Sequence, residues 1–124
     1  MSLDITPVVP SGSQFIQSYG DGGFRISDIT YQGSVLVFPE KTEAWPIIDS
    51  HDVSIANLAD AIVNRPLILL VGCGATFHPS PISLRNALKD VGTALEWMDT
   101  GAACRTFNVL LSESRNVVSA LIAV

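Results

Sequence analysis

The chain has 124 residues, which fits one domain, with 48% hydrophobic and only 15% charged side chains, twelve acidic against seven basic, and a net charge of −5. Globular proteins average about 25% charged residues, so apolar surface is expected to stay exposed, and exposed apolar surface usually marks an interface. The basic residues are single and scattered, which argues against nucleic-acid binding, since phosphates need a basic stripe, and the acidic balance disfavours anionic membranes.

Residues 1–13 hold Pro7, Pro10 and Gly12 without periodicity and read as a flexible N-terminal arm, leaving 14–124 as a single domain. Phe15 to Tyr19 alternates apolar and polar, and Gly20-Asp21-Gly22-Gly23 supplies a turn to a return strand at Phe24-Arg25-Ile26. Gln32-Gly33, between Ile29-Thr30-Tyr31 and the run from Ser34 to Phe38, is a second hairpin signal. Val35 to Phe38 is apolar throughout and predicts a strand covered on both faces. Around Trp45-Pro46 the pattern fits a short edge strand, where proline is tolerated.

From Ser54 the period changes. Ser54 predicts a cap for a helix carrying Ile55, Leu58, Ala59 and Ile62 on one face, with Pro66 as its stop. Leu67 to Val71 is a buried strand by length and composition. Ser80 with Pro81 at the first helical position predicts a second helix, with Leu84, Ala87, Leu88 and Val91 inward and Gly92 at the left-handed position beyond its end. Thr93 to Met98 reads as a strand, and Thr100 as the cap of a third helix with Ala103, Phe107 and Leu110 on one face. Asn116 to Val124 is a final apolar strand. Strands first, then helices alternating with strands, predict an α/β, three-layer domain with a mixed central sheet and an N-terminal hairpin-rich β part. The connection from Val71 to Thr93 is long enough for a right-handed parallel crossover.

Gly72-Cys73-Gly74 falls between a buried strand and a helix, and ligands of open α/β sheets gather at the C-terminal ends of strands. The loop is thus a candidate small-anion or nucleotide pocket. The plainer reading is that its glycines simply turn the chain, because the dinucleotide fingerprint and a following Lys-Ser/Thr are both missing. Cys73, with His78 five residues on, has the residue types of a nucleophile and its base; against this, free cysteine is usually a small buried hydrophobe. No catalytic residue is assigned. Cys73 and Cys104 lack metal-ligand spacing, as do His51 and His78, so no metal or other cofactor is assigned and the thiols read as reduced.

Arg105 sits early in the third helix, where the dipole opposes a cation. Glu96 or Asp99 is the expected partner in a structural ion pair; the alternative is an Arg whose fork grips a carboxylate or phosphate. Asn108, three residues on, shares that face. Trp97 is expected beneath a helix, and Trp45, beside Pro46, as an exposed anchor for a protein partner. The longest apolar run, Leu67 to Val71, is far short of a membrane span, and Met1 to Asp4 carries no basic or apolar leader, so a cytoplasmic protein without direct membrane insertion is expected.

The block Glu96-x-Met98-x-Thr100-x-x-Ala103-Cys104-Arg105-Thr106-Phe107-Asn108-x-Leu110, together with Gly72-Cys73-Gly74 and Arg115-x-Val117-x-x-Ala120-Leu121, resembles the hallmark of a small-domain family of unassigned biochemical function. That family includes the mitochondrial respiratory complex I assembly factor 3, an animal adipogenesis-associated protein, and many bacterial and archaeal single-domain members. The resemblance runs roughly from Phe15 onward. It implies a compact three-layer fold around a mixed sheet and work through other proteins, with no established active site. The chain departs from many relatives after Gly74, where Ala75-Thr76 replaces basic residues. The resulting expectation is a non-catalytic protein-interaction domain, an assembly or accessory factor with a protein partner and room for homo-oligomerisation. The alternative is a small-molecule or anion-binding protein, or an enzyme, using the Gly72–Gly74 loop and the Thr100–Asn108 helix start.

Overall fold

Among residues 12–124, which the computed structural model describes, the chain begins with an antiparallel meander of β1 (Ile16–Gly20), β2 (Gly23–Ile26) and β3 (Ile29–Gln32). Residues 1–11 of the expected arm lie outside the described residues. The first turn is the expected one at Gly20–Gly23. The second is Ser27-Asp28, both at positive φ (47° and 69°), the mirror-image turn that matches strand twist. The hairpin expected at Gln32-Gly33 is not formed. Gly33 instead carries the chain out of the small sheet, its N–H donating to Gly22 O at 2.8 Å.

The chain then enters a second sheet through β4 (Val35–Val37) and its antiparallel neighbour β5 (Thr42–Ala44). Next come α1 (Ala59–Ile62), β6 (Ile68–Gly72), α2 (Ile82–Asp90), β7 (Ala94–Met98), α3 (Thr100–Ser112) and β8 (Val117–Leu121). The sheet order is β5-β4-β8-β6-β7. β4 is antiparallel to both β5 and β8, whereas β8, β6 and β7 run parallel, so the sheet is mixed.

β7 lies on one side of β6 and β8 on the other, so the two crossovers travel in opposite directions. Right-handed connections must then put their helices on opposite faces, and the packing agrees. α2 buries Leu84 and Leu88 against Leu69, Val71, Val118 and Ala120, while α3 buries Ala103, Cys104, Phe107 and Leu111 against Leu70, Val117 and Leu121. Strand alternation supplies apolar side chains to both faces. Trp45, Val53 and Leu58 complete the α2 side, and Ile16, Phe24 and Ile26 of the small sheet complete the α3 side. The outcome is the three-layer α/β domain expected.

The helix starts depart from the expected caps. Ser54 and Asn57 exchange hydrogen bonds (Ser54 N–H to Asn57 Oδ1, 3.0 Å; Asn57 N–H to Ser54 Oγ, 3.3 Å), but they brace a turn, and α1 begins only at Ala59. Pro81 is the residue before α2 rather than its first, with no side-chain cap. Asp99, not Thr100, caps α3: it has the extended backbone of a cap, and its carboxylate accepts the Ala102 N–H at 2.9 Å. Gly92 does hold the left-handed position after α2, at φ 83°.

Asn108 ties the small sheet to α3. Its Oδ1 accepts the Ile16 N–H at 3.0 Å, and its Nδ2 donates to Ile16 O at 2.9 Å. The carboxamide thereby occupies the place of a neighbouring strand beside β1. Asn108→Ala is expected to cost about 1–3 kcal/mol, because it strips both partners from one partly buried peptide group. Urea unfolding with amide exchange at Ile16 checks this; an unchanged Ile16 exchange rate in the folded variant would contradict the clamp.

Candidate functional site

Open α/β sheets place ligands at the C-terminal ends of parallel strands that hand their chains to opposite faces, here the exits of β6 and β7. Backbone pairing continues past both strands, with Cys73 N–H donating to Met98 O at 2.8 Å and Thr100 N–H to Gly74 O at 2.9 Å. Thr100 is fully buried. Its hydroxyl donates to Ile122 O at 2.7 Å and accepts the Gly74 N–H at 3.1 Å. Gly72 permits this approach, since a Cβ there would stand 2.9 Å from Thr100 Cα and 3.0 Å from Thr100 Oγ1.

The structure therefore brings Gly72, Cys73, Gly74 and Thr100 together, but it consumes the groups an anion would use. The Cys73 and Gly74 N–H donors are both taken internally, and the Asp99 carboxylate occupies the first turn of α3. Cys73 is buried, and its sulfur accepts the His78 backbone N–H at 3.5 Å and donates to Thr76 O at 3.6 Å. The His78 ring turns instead to Thr76, with Nε2 3.4 Å from Oγ1. The thiol thus meets the backbone of His78 and not its imidazole.

A crevice of about 340 Å³ lies against this loop, walled by Ile48, Asp49, His51, Cys73, His78 and Ile122 among others. Asp49 caps the short 3-10 turn Ser50–Asp52, accepting the His51 N–H at 2.9 Å and pairing with His51 Nδ1 at 2.8 Å. The His51 backbone N–H, and after it the His51 side chain, holds the Asp49 carboxyl below its ordinary range. The His51 and His78 ring centroids are 6.2 Å apart. Among the described residues no three His, Cys, Asp or Glu side chains are grouped to share a metal ion. Asp49 was not singled out in the sequence, although Asp two residues before His is a local turn-capping signal.

The remaining candidates stand elsewhere. Asn108 serves the β1 clamp. Arg105 is exposed and joins none of the ion pairs among the described residues, so the expected pair with Glu96 or Asp99 is not formed; Asp99 is committed to the helix cap. Trp45 is 4% exposed, with its indole N–H donating to Asn57 O at 2.9 Å, so the expected exposed anchor is a core residue that ties down the segment after β5. Trp97 packs on the α2 side as expected, and its indole N–H donates to His78 O at 2.6 Å, fixing the loop after β6. Cys104 is on the buried face of α3, where burial pushes its thiol up to about 12 despite the opposing Arg105 charge. Exposed apolar side chains stand on the crevice wall at Ile48 (83%), in the loop after β6 at Phe77 (62%) and at the start of α2 at Ile82 (92%).

Residues 16–122 match a protein family described as a protein of unknown function, DUF498/DUF598. The chain is 36% identical over 112 residues to an uncharacterised protein of Rhodobacter capsulatus, covering 90% of this chain and 86% of that protein. It is 34% identical over 123 residues to the NADH dehydrogenase (ubiquinone) 1 alpha subcomplex assembly factor 3 of Danio rerio, covering 98% of this chain and 71% of that protein. A Mth938-like domain from Bordetella pertussis, solved by NMR, superposes with a TM-score of 0.81 at 27% identity, covering 98% of this chain and 92% of that one.

Two outcomes are expected of this geometry. Gly72→Ala should cost about 1–3 kcal/mol, since the atom it meets first is Thr100 backbone that cannot swing away; a variant with the parent's urea midpoint would contradict the close approach. Between pH 9.0 and about 12 the unfolded chain gives up a Cys104 proton that the folded chain keeps, so this thiol's contribution to stability falls as pH rises. The stability of the parent relative to Cys104→Ala should therefore shrink across that window, and a pH-independent difference in urea unfolding would contradict the burial.

Proposed function

The chain belongs to the protein family of unknown function DUF498/DUF598, and from that premise we propose that it is a non-catalytic accessory factor that acts by binding another protein. The observation that carries this reading is the exposure of Ile48 on the crevice wall, Phe77 in the loop after β6 and Ile82 at the start of α2. Fully burying such a side chain is worth about 1.5–3 kcal/mol, so water-exposed apolar groups on a braced scaffold favour a protein contact. The relative named as an assembly factor in Danio rerio supports the same direction. Among the described residues no helix is long and apolar enough to cross a membrane. The proposal places the factor in the cytoplasm, where its two buried free thiols stay reduced.

The loop chemistry is in keeping with this reading. The Cys73 thiol and the Gly74 N–H are engaged by the chain itself, leaving the crevice wall with the Asp49–His51 pair, the His78 ring and apolar groups among others.

Phe77→Ser combined with Ile82→Ser should leave stability within about 0.5 kcal/mol, as surface changes usually do. The tagged parent should retain a stoichiometric protein on purification from its native lysate, and the double variant should lose it. Equal retention by the variant, or a retained small molecule without protein, would contradict the reading.

A further inference from the structure

Arg105 lies outside the crevice, exposed to solvent and without an ion-pair partner among the described residues. It stands in the second turn of α3. Asp99, the acid before it in sequence, is committed to the Ala102 N–H. Among the described residues Arg105 joins no ion pair, and its side chain makes one polar contact, Nη1 donating to Tyr19 Oη at 3.4 Å.

Tyr19 reaches that position because Gly101 admits it. Glycine in a helix is about 1 kcal/mol worse than alanine, yet a Cβ at Gly101 would stand 2.5 Å from the Tyr19 hydroxyl and 2.9 Å from its ring carbon Cζ. Tyr19 remains 43% exposed, and Val109, one turn along α3 from Arg105, is 50% exposed. The Asn108 clamp on Ile16 holds β1 against α3, so the surface is pre-organised. Tyr and Arg are also the residue types in which binding energy concentrates.

We propose that Tyr19 and Arg105 recognise a carboxylate of a protein partner, an Asp or Glu side chain or a chain terminus, with Val109 as the apolar contact beside it. The Tyr19 hydroxyl accepts from Arg105 and keeps its own proton to donate to the carboxylate, while the guanidinium offers further N–H donors to the same group. On a chain of net charge −5 such a point sets register and partner choice, because acidic groups are disfavoured elsewhere. The inference rests on the protein-binding reading and adds a second face to it. The two faces meet at the start of α3, where Thr100 lies against the crevice loop and Gly101 under Tyr19.

Random peptides displayed on phage, selected on the parent protein, test this. The selected peptides are then measured against Arg105→Ala, Tyr19→Phe and the Phe77→Ser/Ile82→Ser double variant, each checked for an unchanged thermal midpoint. The expected result is a peptide class with a fixed Asp or Glu that loses about tenfold or more in affinity on Arg105→Ala, and less on Tyr19→Phe. Changing that peptide residue to Asn or Gln should cost the same against the parent and nothing further against Arg105→Ala. Selected peptides indifferent to Arg105, or equal binding of acid and amide peptides, would overturn the carboxylate site. In that event peptides that depend on Phe77 and Ile82 leave the protein-binding reading standing, whereas selection of no peptide sensitive to either face would count against both.

Discussion

The end of the molecule that carries its crevice depends on how closely the first turn of α3 approaches the last residue of β6. Gly72 has no Cβ, so the Thr100 backbone fits where a side chain would stand, and the Thr100 hydroxyl reaches both Gly74 N–H and Ile122 O. One side chain thus joins the exits of β6 and β8 at the point where β7 turns into α3. Because interiors are close-packed and transmit strain, opening this contact would disturb both faces of the central sheet. The same contact fixes what the crevice can offer. Its nearest backbone donors face inward, so the rigidity of the loop is obtained by using the groups that an anion pocket would present.

The block from Glu96 to Leu110, which carries the family resemblance, acquires a physical meaning from this arrangement. Thr100 holds the crevice, Ala103 and Phe107 fill the core beneath α3, and Asn108 captures the peptide group of Ile16. These are scaffold roles, each tied to a partner far away in sequence. Arg105 differs from them, because it is turned to solvent beside Tyr19 and compensates no charge among the described residues. A signature made chiefly of positioning residues around a solvent-facing Arg suits a domain whose work is to present surfaces.

Much of the fold was legible in the sequence because its signals are periodic. The apolar runs at Val35–Phe38 and Leu67–Val71, the stripe Leu84–Leu88 and the glycine after α2 each encode local geometry, and the handedness rule converts their order into a mixed sheet with helices on both faces. Errors arose where a local signal does not name its tertiary partner. Gly33 marks a change of direction, but nothing near it says that the next strand joins another sheet. Asp99 and Thr100 are both capping types, and only the backbone of Asp99 decides between them. Trp45 beside a proline resembles a surface anchor until Asn57 supplies a carbonyl for its indole. Of the site, Gly72–Gly74 and Thr100 were found because they flank strand ends; Asp49 and His51 were not placed beside His78, because that meeting is purely tertiary.

The central claim is that the braced loops around Phe77 form a protein-docking face. A photo-crosslinking amino acid placed at Phe77 in cells, with the equally solvent-facing Val63 (70% exposed, at the end of α1) as the control position, tests it most directly. The account predicts one discrete crosslinked protein from position 77 and none from position 63. No crosslink at 77, or the same products from both positions, would contradict it.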